Sequence, residues 1–285
     1  MAGRGGRGGD TRTMAWVFDL DGVIWLGAEP IPGAAEAVNE VVRRGEPVVF
    51  VTNNSFGRRD DVEDKLARQG IEAHGAVVTS AMAVASLVDA SQRVLFCGGP
   101  GLGEELGRRR ADVVDAATLV ASVSPVRPDG VVDAVTAAGP FDAVVVGYHR
   151  DFDYHRMTAA AWAVRQGARL LASNDDATYP TPWGPIPGGG SILAGIATAA
   201  GVAPVVAGKP HDPIADLVRE RLGPHGIVVG DRPDTDGRFA EALGYRFGLV
   251  LSGVTSAADL PVLPTPDLVA ADLAALVRDT ADGGR

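Results

Sequence analysis

The strongest constraint on the fold is a repeated rhythm. A short apolar run is followed by an amphipathic segment, and polar residues stand where each run ends. Ala15–Phe18 reads as a buried strand that ends in Asp19-Leu20-Asp21-Gly22. Residues 33–44 read as a helix, with Ala34, Ala37, Val38, Val41 and Val42 along one face and Gly45 to stop it. Residues 47–51 form a second apolar run, ending in Thr52-Asn53-Asn54-Ser55, and residues 58–69 form a second helix closed by Gly70. Strand–helix–strand–helix order predicts an α/β fold with a Rossmann-like, three-layer parallel sheet covered by helices.

The rhythm returns in the last third. Residues 205–207 read as a strand ending in Gly208-Lys209-Pro210, and residues 227–229 as a strand ending in Gly230-Asp231. Helices are expected at 213–222 and 236–243, and a further strand at 247–251. The middle holds strands at Arg93–Cys97, 143–148 and Arg169–Ala172, with a helix at 154–166. Residues 179–190 carry four prolines and four glycines, which suit a loop between two structural units. The expected organisation is a disordered Gly/Arg tail (1–13), a core in two parts (14–82 and 188–285) and an inserted α/β unit (83–187).

Composition narrows the function. Hydrophobic residues make up 46%, which excludes a wholly disordered chain. No uncharged apolar stretch is long enough for a membrane helix. Acidic residues outnumber basic ones, 36 to 26, so general nucleic-acid binding is not expected. The single cysteine, Cys97, cannot form an internal disulfide, in keeping with a cytoplasmic protein. The histidines show no zinc spacing. Gly99-Pro100-Gly101-Leu102-Gly103 follows a strand, but Glu104 stands where a dinucleotide loop needs its third glycine.

In an open parallel sheet, ligands gather at the carboxyl ends of the strands. Here those ends carry Asp19 and Asp21, Thr52 to Asn54, Lys209, and Asp231. Asp19 and Asp21 are two apart, so in extended chain they face one side and repel unless a cation or a shared proton intervenes. Mg²⁺ suits them, as a hard cation that takes carboxylates, water and phosphate oxygens. Asp231 adds a third carboxylate. Asp234 reads as a helix cap, and Asp236 as support for Lys209 or the metal from behind. Thr52, Asn53 and Asn54 offer donors to phosphate oxygens. Lys209 is one of only two lysines, with Lys65, in a chain that otherwise uses arginine.

These segments, in this order, resemble the four motifs of the haloacid dehalogenase superfamily. The branch most alike holds the nitrophenylphosphatase-like and NagD-like enzymes, with a large cap between motifs two and three. The resemblance implies Asp19 as nucleophile and Asp21 as general acid and then base. It implies Asp19, the Asp21 carbonyl and Asp231 as Mg²⁺ ligands, Thr52, Asn53 and Asn54 as phosphate binders, and Lys209 as the neutralising cation. Asp176, Thr178 and Tyr179 fall in the cap loop that selects substrate in the family. Three departures are Asp175, where proline is common, Val23, where many relatives have threonine, and Gly237, which is expected to loosen the helix after it.

The expected activity is Mg²⁺-dependent hydrolysis of small phosphate monoesters through an aspartyl-phosphate, with glycerol 3-phosphate and phosphoglycolate as first candidates. Pyridoxal 5′-phosphate would need a ring contact from Tyr179 or Trp183, and nucleotides rank lower. A phosphotransferase or mutase, and a non-enzymatic ligand-binding module, are the alternatives. The implied partner is a small phosphorylated metabolite, with no nucleic acid and no membrane, and the resemblance implies a homodimer joined through the caps.

Overall fold

Alternation along Ala15–Phe18 dictates a layered structure. Trp16 and Phe18 enter one apolar cluster and Val17 another, so both faces of this strand must be covered. The strand lies inside a six-stranded sheet in a computed structural model that describes residues 14–282 apart from Pro180 and Pro182. The predicted disordered tail at 1–13 lies outside the described residues. The strand order is Leu268–Ala270, Arg246–Val250, Gly226–Gly230, Ala15–Phe18, Val48–Thr52, Val77–Thr79, and every pairing is parallel. The α/β class and the parallel sheet are as the sequence predicts.

Chain order runs outward from Ala15–Phe18 in both directions. Its carboxyl end is therefore a topological switch point, where flanking connections diverge and leave a crevice. Register fixes what lines it. Phe18 lies opposite Val229 on one side and Phe50 on the other, so Asp19, Asp231 and Thr52 reach the same edge.

The second unit is a five-stranded parallel sheet, ordered Val205–Val206, Arg169–Ala172, Ala143–Val146, Arg93–Cys97, Asp112–Asp115. Its carboxyl edge faces that of the first sheet. Ser173 donates its hydroxyl to Ser55 Oγ at 2.9 Å, and Asn174 Nδ2 donates to the Asn53 carbonyl at 2.8 Å.

The structure departs from the sequence expectation at two places. Val205–Val206 belongs to the second sheet, paired with Leu171 and Ala172, so that unit runs past residue 187 to Val206. An apolar run announces a strand but not its partner. The Pro/Gly stretch is likewise internal to the second unit. Thr178–Tyr179 pairs antiparallel with Ile186–Pro187, and helix Gly189–Ala200 starts directly after Gly188. Ile192, Leu193, Ile196 and Ala200 of that helix pack into the cluster that holds Val144 and Val146.

Smaller differences have local causes. Val42 is 51% exposed, outside the buried stripe of helix Ala34–Arg43. The Gly99–Gly103 run is a joint between the units. Gly101 N–H donates to the Phe56 carbonyl at 2.9 Å, and a Cβ at Gly99 or Gly101 would overlap Phe56 or Gly57. Cys97 is buried in the second unit's core, and burial pushes its thiol up to about 12, so it is chemically quiet. Among the described residues, no helix is long and apolar enough to cross a membrane.

Candidate active site

Lys209 is the centre of the crevice. It is 3% exposed, and its Nζ donates to Asp19 Oδ1 and to Asp236 Oδ1, each at 2.6 Å. Burial pulls its pKa down, but Asp19 and Asp236 more than offset this and hold the ammonium charged. Asp236 is fully engaged, since its Oδ2 accepts the Arg232 N–H at 3.1 Å. A π-helical turn at Pro233–Gly237 aims it back at the lysine, with Asp236 N–H bonded to Arg232 O at 2.7 Å. Gly230 makes room, because a Cβ there would overlap the Asp236 carboxylate. Gly237, expected to loosen the next helix, instead packs closely against Phe247 and Pro264.

Asp231 leaves the neighbouring strand end and is 2% exposed. Val254 N–H donates to its Oδ2 at 2.6 Å. Gly253 and Gly22 close over that carboxylate, and Gly22 does so at φ 83°, a region that disfavours any side chain. Burial first, then the nearby Asp236 charge, pushes Asp231 up to about 7. Burial also raises Asp19 well above the ordinary carboxylate range; Lys209 opposes this, while Asp236 and Asp231 add to it.

Asp19, Asp231 and Asp236 offer oxygens within 4.8 Å of one another. Two buried carboxylates and the largely buried Asp19 against one ammonium leave an excess of negative charge, so the donor set suits a hard divalent cation. Asp236 is occupied by Lys209 and Arg232. The free Asp231 oxygen and Asp19 are the oxygens that could hold such a cation.

Thr52 is buried, and its Oγ1 accepts the Asn54 N–H at 3.0 Å, so its hydroxyl proton remains to be donated. Asn54 Oδ1 accepts the Phe56 N–H at 3.0 Å, which leaves the Asn54 amide hydrogens. Asn53 differs from expectation. Its Oδ1 accepts the Lys209 N–H at 2.8 Å, and its Nδ2 donates to the Lys209 carbonyl at 3.0 Å and to Asp176 Oδ2 at 3.1 Å. The protein itself occupies this side chain, so any contact with a phosphoryl group falls to its backbone. Asn53 instead fixes Lys209 and ties Asp176 of the second unit to the first.

Asp21 lies apart from the carboxylate cluster. Its Oδ1 accepts the Trp25 indole N–H at 3.0 Å, and burial raises its pKa. Tyr179 stacks on Tyr148 at 5.1 Å, and Tyr148 meets Phe56 edge-on at 6.0 Å. Burial and then the Asp21 charge raise the Tyr179 phenol. Trp183 is 81% exposed. Sequence reasoning passed over Trp25, Tyr148 and Phe56 because isolated aromatics read as packing. It also passed over the Gly253–Val254 turn, which carries no side-chain chemistry.

A family model described as haloacid dehalogenase-like hydrolase matches residues 16–109, and a second HAD-hydrolase-like model matches residues 206–276. The D-glycerol 3-phosphate phosphatase of Mycobacterium tuberculosis is 35% identical over 274 residues, covering 93% of this chain and 71% of its own. The chain belongs to the haloacid dehalogenase-like hydrolases. It is an enzyme of the phosphatase type within that superfamily. A solved p-nitrophenyl phosphatase from Archaeoglobus fulgidus matches with a TM-score of 0.81 and 29% identity, over 94% of this chain and 99% of that one. A glycerol phosphate phosphatase from Mycobacterium tuberculosis, solved in complex with magnesium, matches with a TM-score of 0.78 and 32% identity, over 93% and 76%.

Proposed function

We propose that this enzyme is a Mg²⁺-dependent phosphatase of small phosphate monoesters that works through a phosphoryl group carried on Asp19, with glycerol 3-phosphate as first substrate candidate. The observation that carries the reading is the buried Lys209 shared between Asp19 and Asp236, with Asp231 beside them. The similarity to a D-glycerol 3-phosphate phosphatase supports the substrate.

Asp19 attacks phosphorus, and the ester P–O bond breaks as the Asp19–phosphorus bond forms. Asp21 gives its proton to the departing alcohol oxygen. Water then attacks phosphorus, Asp21 takes up its proton, the Asp19–phosphorus bond breaks and inorganic phosphate leaves. Lys209 offsets charge on Asp19 and on the phosphoryl oxygens, and the Thr52 hydroxyl donates to one of those oxygens. Asp19, Asp231 and the Asp21 backbone carbonyl would hold Mg²⁺, which supplies the positive charge that the carboxylates and phosphoryl group lack. The second unit covers the crevice and excludes bulk water, with Asp176 and Tyr179 facing the alcohol part of the substrate.

The test is phosphate release from glycerol 3-phosphate, phosphoglycolate, pyridoxal 5′-phosphate and nucleoside monophosphates, with Mg²⁺ and then with chelator. Metal-dependent release, fastest from glycerol 3-phosphate, is expected. Transfer to an added alcohol without matching phosphate release, or no release by folded protein, would overturn the reading.

A further inference from the structure

The chain holds two lysines, and both point toward the aspartate pair. Lys209 reaches Asp19 directly. Lys65 reaches Asp21 through an indole. It extends from helix Arg59–Arg68 and sets its Nζ 3.6 Å from the centre of the Trp25 ring, while donating to the Gly27 carbonyl at 3.1 Å. Trp25 is 4% exposed and begins a short hairpin in which Trp25–Leu26 pairs with Glu29–Pro30. The segment before the hairpin folds back on it, with Gly22 N–H donating to the Trp25 carbonyl at 2.7 Å. The indole N–H then meets Asp21 Oδ1 at 3.0 Å.

An indole nitrogen only donates. Asp21 Oδ1 is therefore held as an acceptor, which favours the carboxyl proton on Oδ2, since the carbonyl oxygen is the better acceptor. A cation on the ring face is attracted by the π electrons and draws density from the ring, which makes the indole N–H a better donor. Lysine suits this place because its compact ammonium can lie over the ring and still reach one carbonyl.

Resting on the function proposed above, we propose that Trp25 and Lys65 are positioning residues for Asp21: they clamp Oδ1 and keep the transferable proton on Oδ2, toward the departing alcohol. Plain packing would make the same contacts but would not depend on which alcohol leaves. That difference sets the experiment.

Glycerol departs as an alkoxide that needs a proton, whereas p-nitrophenol departs as a stable anion that does not. The parameter kcat/KM covers the steps up to alcohol release and excludes hydrolysis of the phosphoenzyme. Trp25→Phe keeps the ring and removes the N–H. Lys65→Met keeps the stem and removes the charge, and Lys65→Arg restores a cation. General acid catalysis contributes ~10²–10⁴-fold, so a misplaced proton should cost part of it. The ratio of kcat/KM for glycerol 3-phosphate to that for p-nitrophenyl phosphate should fall about 10-fold in Trp25→Phe. It should fall less in Lys65→Met and recover in Lys65→Arg. Turnover of the nitrophenyl ester also reports that each variant is folded. An unchanged ratio, whether both rates fall together or neither does, would overturn the proposal. Wild-type protein that turns over neither ester would instead defeat the function reading, and the proposal with it.

Discussion

Replacing Lys209 by Met removes the one ammonium that Asp19 and Asp236 share. The methionine roughly fills the same space, so the change is electrostatic rather than a cavity. Both carboxylates lie 2.6 Å from Nζ, and Asp236 is 1% exposed. Without the lysine, the buried Asp236 and the largely buried Asp19 carboxylates face each other uncompensated. Removing one partner of a buried ion pair costs about 3–5 kcal/mol, a large part of the ~5–15 kcal/mol that holds a typical domain together. The loss also has a pH sign. Burial raises the pKa of Asp19 and Lys209 lowers it, so without the lysine the Asp19 carboxyl is still more readily protonated in the folded state than in the unfolded one. The folded variant then binds more protons, and its stability falls as pH rises. Urea unfolding of both proteins in chelator, from about pH 5 to about pH 8, reads this directly. The deficit should be smallest at the acid end and grow toward the alkaline end. Turnover should fall at least ~10²-fold, the scale of losing one preorganised charge-stabilising group. A folded variant within about 1 kcal/mol of wild type at every pH, with near-normal turnover, would refute the reasoning, because a buried shared ammonium cannot be that dispensable.

Two further outcomes follow from the geometry around the crevice. Gly230→Ala places a methyl group against the Asp236 carboxylate, so it should destabilise by about 1–3 kcal/mol and depress turnover, as measured by thermal unfolding and phosphate release. His211 bonds to Asp175 across the two units at 3.2 Å, and that bond raises its pKa above the ordinary histidine value. The stabilisation is present below the unfolded histidine value (~6.5) and is lost as pH rises through the raised folded value. His211→Gln should therefore lose stability relative to wild type at mildly acid pH and match it at alkaline pH, with a gap below about 1 kcal/mol because the pair is partly exposed.

The edge that carries the candidate site was legible because strand chemistry is local. Apolar runs that stop at Asp19, Thr52 and Asp231 announce both the strand and its functional end, and parallel pairing brings those ends together. Lys209 stood out through scarcity, although the strand before it belongs to the other sheet. The assignment of residues 205–207 failed because partner choice is a property of the whole sheet. The loop reading of 179–190 failed because prolines and glycines mark turns without saying which elements the turn joins. Asn53 stands where the sequence placed it but has a different role. An amide at a strand end can bind a ligand or brace the protein, and only its three partners decide between them. Trp25 and Lys65 were hidden because their link to Asp21 depends on a hairpin and a helix docking side by side.

In the proposed mechanism Asp19 carries the phosphoryl group during turnover. Acid quench of enzyme mixed with phosphate-labelled substrate and Mg²⁺, followed by peptide mapping, tests it directly. An acid-stable, base-labile label is expected on the peptide that contains Asp19, absent from Asp19→Asn and formed no more slowly than phosphate is released. Rapid phosphate release with no label on that peptide, or undiminished release by Asp19→Asn, would contradict it.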